Sequence, residues 1–274
     1  MNQKRFTNRL SPTTVFIVLA IMVSLITGCA SAQDSANPSE PNTGDASTAG
    51  VLCDVSESGF NPDESVELDY SYAWNCSEDE RLLTANGVPD HEVGTFDRII
   101  IAEQDVSANF TLSPVTTDTA TAMGGPRGTI AFAINGVKFD PGTAGTCDDS
   151  GENCSLGGEA VGQWRIEALG ESGFFGVDFN NAHVQPGGTY HYHGMPESLV
   201  NDEAITLVGW AADGFPVYAR YGYSDAADAS SDIKVISSSY QLKDTPDENR
   251  PPTELHAMGT FTQDYIYRRF RRLR

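Results

Sequence analysis

Apolar and polar residues alternate with a period of two along much of this chain, at 65–74, 98–103, 107–112, 129–134, 163–168, 174–179, 189–193, 205–211 and 215–221. Successive side chains of a strand point to opposite faces of a sheet, so this alternation is the mark of half-buried β-structure. Sustained helical periodicity is missing. Glycine-rich connections, including GGPRG at 124–128, suit tight turns between strands. The expectation is a mainly β fold: one antiparallel sandwich or barrel-like domain over 51–267, with few short helices.

The first 50 residues follow a different logic. Lys4, Arg5 and Arg9 form a basic start without an acid, and 15–26 (VFIVLAIMVSLI) is an apolar run of signal-peptide length. A membrane-spanning helix needs about 20 apolar residues, and here the run stops at Thr27. Ile26-Thr27-Gly28-Cys29 resembles the bacterial lipobox. Residues 1–28 are therefore expected to be a lipoprotein signal peptide, and Cys29 the lipidated first residue of the mature chain. Ala30, where an aspartate would resemble an inner-membrane retention signal, directs the expectation to the outer membrane, periplasmic or cell-surface. Residues 29–50 lack large apolar side chains and are read as the anchor and a flexible tether.

With the signal removed, three basic residues leave and the balance becomes 14 Lys+Arg against 38 Asp+Glu, or −24. Phosphate binding depends on clustered cations, so nucleic acid is excluded as a partner. The expected partner is the membrane, through the N-terminal lipid; protein and glycan partners are left open. An acidic field attracts metal ions, although it also serves solubility outside the cell.

Apart from Cys29 the chain has Cys53, Cys76, Cys147 and Cys154, an even number suited to an oxidising compartment. The favoured pairing is Cys147 with Cys154, closing the loop CDDSGENC, and Cys53 with Cys76. Zinc held by these cysteines is the weaker reading, because no CxxC spacing occurs.

Chemistry is concentrated at 180–197, NNAHVQPGGTYHYHGMPE. If residues 189–193 are a strand, His191 and His193 share one face and Tyr190 and Tyr192 the other. The turn at 185–188 could return His183 as a third ligand, with Glu197 or Asp213 as an oxygen donor. Three imidazoles fit copper or zinc best. Calcium is the lesser reading: Asp148, Asp149, Glu152 and Asn153 crowd oxygen atoms into one loop, but their spacing is not that of an EF-hand. The HxHxxxE spacing matches the first cupin motif only in part, and no second motif follows. No GxSxG, P-loop, HExxH or GxGxxG occurs, so no catalytic residue is assigned. Two alternatives remain: a carbohydrate-binding or adhesion module, with Trp164 and Trp210 as stacking faces, and a metal-dependent enzyme.

Tyr190-His191-Tyr192-His193-Gly194 resembles the signature of the bacterial YHYH-domain proteins. The resemblance extends through ANGVPDHEVGTF at 85–96, GGPRGTIAFAINGVKFDPGTA at 124–144, GQWRIEALG at 162–170 and LVGWAADGFPVYARYGY at 207–223. It implies family membership and no particular activity. It also implies a continuation after GTFTQDYIY at 259–267 into a cysteine-containing stretch, where this chain has RRFRRLR. Five arginines in those seven positions are read as an atypical basic tail at 268–274, by truncation or frameshift.

Overall fold

The computed structural model describes residues 50–96, 99–119, 128–157, 159–170, 173, 175–201 and 204–268. The signal segment, Cys29, the tether to residue 49, the glycines at 124–125 and the tail beyond Arg268 lie outside these residues. No helix among the described residues is long and apolar enough to cross a membrane.

The chain is mainly β. Strands β1 (Val55–Asn61), β2 (Leu68–Cys76), β3 (Glu80–Ala85) and β4 (Val106–Thr111) form an antiparallel meander. Then come β5 (Ala131–Ala133) and β6 (Lys138–Phe139). A small three-stranded sheet follows, of β7 (Thr146–Cys147), β8 (Cys154–Ser155) and β9 (Trp164–Arg165). The hairpins β10 (Ala182–Gln185) with β11 (Thr189–Tyr192), and β12 (Thr206–Ala211) with β13 (Pro216–Ala219), join β5 and β6 in a six-stranded sheet ordered β10-β11-β6-β5-β12-β13. Its pairs are antiparallel except β11 with β6, which run parallel. Two ribbons, β14 (Tyr221–Tyr223) with β15 (Ile233–Val235) and β16 (Tyr240–Leu242) with β17 (Tyr265–Tyr267), complete the strands. The described helices are the 3-10 turns Glu197–Leu199 and Thr262–Asp264. None of these sheets closes into a barrel.

The two larger sheets share a core. Trp74, Leu83 and Phe110 of the meander pack against Trp210 of β12, and the Trp74 indole N–H donates to the Ile134 carbonyl at 2.7 Å. Burying such aromatic side chains stabilises by about 2–3 kcal/mol each. A second core lies under the β10–β11 hairpin, where Val184, Tyr190 and Tyr192 pack with Val88, Val93, Ile101, Val137 and Phe139. A third joins Cys147, Trp164, Ile166 and Phe261. Disulfides link Cys53 to Cys76 and Cys147 to Cys154.

Two stretches with alternating residues are not strands. Residues 99–103 run alongside the tip of the β10–β11 hairpin, with Ile101 buried and one bond, Ala102 N–H to Gly188 O, at 2.9 Å. Of the 174–179 stretch the described residues are 175–179, where Gly176, like Gly173 before it, has a positive φ (57° and 58°) that interrupts extended backbone.

Candidate metal centre

A three-residue turn sets the hairpin that carries the motif. Gly187 and Gly188 have φ of 98° and 81°, and a Cβ on Gly188 would sit 2.5 Å from the Ala102 Cβ. The turn therefore needs glycine for both backbone angle and space. The resulting register places His183 directly opposite His191, and Val184 opposite Tyr190. Directly paired residues of an antiparallel ladder share a face. His183 and His191 thus point together, and His193 joins them from just beyond β11.

The three ring centroids form a triangle with sides of 4.7 Å. Each ring lies against a main-chain carbonyl through Nδ1: His183 at Phe175 O (3.0 Å), His191 at Thr189 O (3.2 Å) and His193 at Pro141 O (3.2 Å). A carbonyl only accepts, so each Nδ1 must donate its proton, and each neutral ring keeps a lone pair on Nε2. The Nε2 atoms of His183 and His193 are 3.1 Å apart. One ligand atom from each of the three rings lies within 4.8 Å of the others. Two nitrogens bound tetrahedrally at 2.0–2.1 Å to one zinc stand about 3.3 Å apart, so the spacing suits a shared ion.

Electrostatics keeps the rings neutral. Burial, aided by His193 and His183, pushes the His191 imidazole down to about 3, and burial with His183 pushes His193 to about 4. Burial also lowers His183. Neutral imidazole is the metal-binding form.

The opposite face of the same strand is dry. Tyr190 and Tyr192 are 1 % and 0 % exposed. The Tyr190 hydroxyl donates to Asp178 Oδ2 at 2.7 Å. His91 holds its Nδ1–H on the Glu92 carbonyl and accepts the Tyr192 hydroxyl at Nε2, 2.7 Å away, while Asn135 donates to the same hydroxyl at 3.1 Å. The alternation of the motif thus divides it into two faces, imidazoles to one side and hydrogen-bonded phenols to the other.

The imidazoles line an open cleft of about 1190 Å³. Lys138 is the register partner of His191 across the parallel β6–β11 pair and belongs to this cleft, as does Asp140. The two are ion-paired at 2.9 Å, and the Gly128 amide donates to Asp140 at 3.0 Å. Burial opposes ionisation of Asp140, but the Lys138 and Gly128 contacts outweigh it and hold the carboxyl below its ordinary range. Sequence reading missed both residues, which lie about fifty positions before the motif; the alternation of Lys138 and Asp140 around Phe139 was the available signal.

Other expected site residues lie elsewhere. Glu197 is ion-paired with Arg220 and is not part of the imidazole cluster. Asp213 is exposed in the turn between β12 and β13. Trp164 and Trp210 are 5 % and 1 % exposed, and the Arg81 guanidinium covers the Trp210 ring at 3.5 Å, so neither offers a face to a glycan. In the 147–154 loop, Asp148 accepts from Ser150, Gly151 and Asn153, and Asp149 from Gln163 and Trp164. Those bonds engage both oxygens of Asp148 and Oδ1 of Asp149. Cys147, Cys154 and His256 also cluster, but the disulfide engages both sulfurs.

A family model described as YHYH protein matches residues 107–270, a span that contains both hairpins of the six-stranded sheet and the three imidazoles. No curated protein and no solved structure matches the chain.

Proposed function

This chain belongs to the YHYH protein family, and we propose that its signature strand is a metal-binding element in an exported, lipid-anchored protein, holding one copper or zinc ion between His183, His191 and His193. The observation that carries the reading is the shared arrangement of the three rings, each anchored through Nδ1 on a backbone carbonyl so that Nε2 is the coordinating atom. Anchoring of the non-ligating nitrogen is the usual support of metal-bound histidine, and it fixes both tautomer and ring orientation. Neutral nitrogen donors, joined by no carboxylate in their cluster among the described residues, favour copper or zinc over calcium or magnesium. Export and lipidation at Cys29 rest on the N-terminal sequence, and outer-membrane placement on Ala30 after it.

Metal analysis of the purified full chain tests the reading. The expected result is one copper or zinc ion per chain, lost in the His191→Ala plus His193→Ala variant. Wild-type protein that takes up no stoichiometric metal would overturn it. Membrane fractionation tests the anchor: wild type should sediment with membranes and Cys29→Ala should be released.

A further inference from the structure

We infer that the ion at this site carries an exogenous fourth ligand, an organic carboxylate whose charge is met by the metal and by Lys138 and whose apolar body lies in the cleft. The inference rests on the metal reading above. Its first support is the geometry of the ligand set. All three imidazoles come from one face of a single hairpin, so they fill one side of the ion, and the other side faces the 1190 Å³ cleft. No fourth His, Cys, Asp or Glu among the described residues joins the cluster. A closed structural site would supply four protein ligands, whereas three with an open position is the arrangement that admits an outside group.

The charge of the cleft indicates the class of that group. The mature chain is strongly acidic, yet Lys138 and Asp140 are the only Lys, Arg, Asp or Glu side chains among the described residues lining the cleft, and they neutralise one another. Neutral imidazoles add no compensating charge. A divalent ion there is therefore left with its charge unmet by the walls, in a setting where charge–charge attraction is stronger than in water. An anion supplies the balance. Lys138 stands beside His191 in the ladder and lines the cleft; its ammonium spends one donor on Asp140 at 2.9 Å and keeps others for a group entering from the cleft. Phe96, Ile99, Leu156 and Phe175 line the same cleft. Apolar walls with a few convergent polar groups select an organic ligand rather than a small inorganic anion.

The test uses the full chain loaded with cobalt(II), whose visible absorption reports coordination. Benzoate, acetate and benzamide serve as probes. Benzoate is expected to shift the bands and to half-saturate at a concentration at least about tenfold below that of acetate, while neutral benzamide leaves them unmoved. Lys138→Met should raise the half-saturating benzoate about tenfold with cobalt stoichiometry kept at one, and Lys138→Arg should restore it. Bands indifferent to benzoate in protein that holds one cobalt would overturn the inference and leave the metal reading standing. An equal response to acetate and benzoate would overturn the role of the apolar walls. Wild-type protein that takes up no cobalt fails at the earlier step, before any anion is added, and takes the metal reading with it.

Discussion

His183 and His193 face each other Nε2 to Nε2 across 3.1 Å, each with its own Nδ1 committed to a backbone carbonyl. Two neutral rings in that arrangement oppose lone pair to lone pair. A cation between them removes the repulsion, so an ion should stabilise the fold measurably. At a free metal concentration about 100 times Kd the gain is about 2.7 kcal/mol, which for a domain of this size raises Tm by roughly 5–10 °C. Calorimetry with zinc and then with a chelator should show the rise and its reversal. The double alanine variant at His191 and His193 should show neither.

Tyr192→Phe removes the hydroxyl shared by His91 and Asn135 inside the second core. Leaving those partners unmatched should cost about 1–3 kcal/mol. Urea unfolding would register the loss. Metal stoichiometry should stay at one, because the phenol lies on the far face of the strand; loss of metal would show that the two faces are not independent.

Gly188→Ala introduces a methyl at positive φ, against the Ala102 side chain. A destabilisation of about 1–3 kcal/mol is expected from strain alone. Because this turn sets His183 opposite His191, metal titration should also show weaker binding. An unchanged urea midpoint together with unchanged affinity would mean that the turn does not hold the register.

Asp264 should make stability depend on pH. Its carboxylate is buried, which works against ionisation, but Arg250 at 2.8 Å and the amides of Phe261 and Gly259 hold its folded-state value below 3.8. Since the folded value is depressed, the contribution is complete above the unfolded value of 3.8 and is lost as pH falls through the lower folded value. Asp264→Asn leaves the fully buried Arg250 unpaired and should cost about 3–5 kcal/mol at neutral pH. Comparing urea midpoints should show the gap between variant and wild type narrowing as pH falls below 3.8.

Local pattern carried the β class, the division of the signature strand into two faces and the inclusion of His183, because each depends on the period of a strand or a short turn. The partners of that strand were not legible. Lys138 and Asp140 reach the cleft through the parallel β6–β11 pairing, and His91 reaches Tyr192 from a segment about a hundred positions earlier, contacts that only tertiary packing creates. Glu197 was misplaced for the opposite reason: nearness in sequence suggested a ligand, whereas Arg220 claims the carboxylate. The 174–179 stretch had the right alternation, but Gly176 within it adopts a backbone angle that a strand forbids.

The two-sidedness of the Tyr190–His193 segment has a consequence for how it can vary. A slip of the hairpin by a single residue would carry phenols out to water and drive imidazoles into the hydrocarbon interior, so coordination and solidity would fail at one stroke. Substitutions that preserve only half of the tetrapeptide should accordingly be poorly tolerated, and insertions at the neighbouring turn least of all.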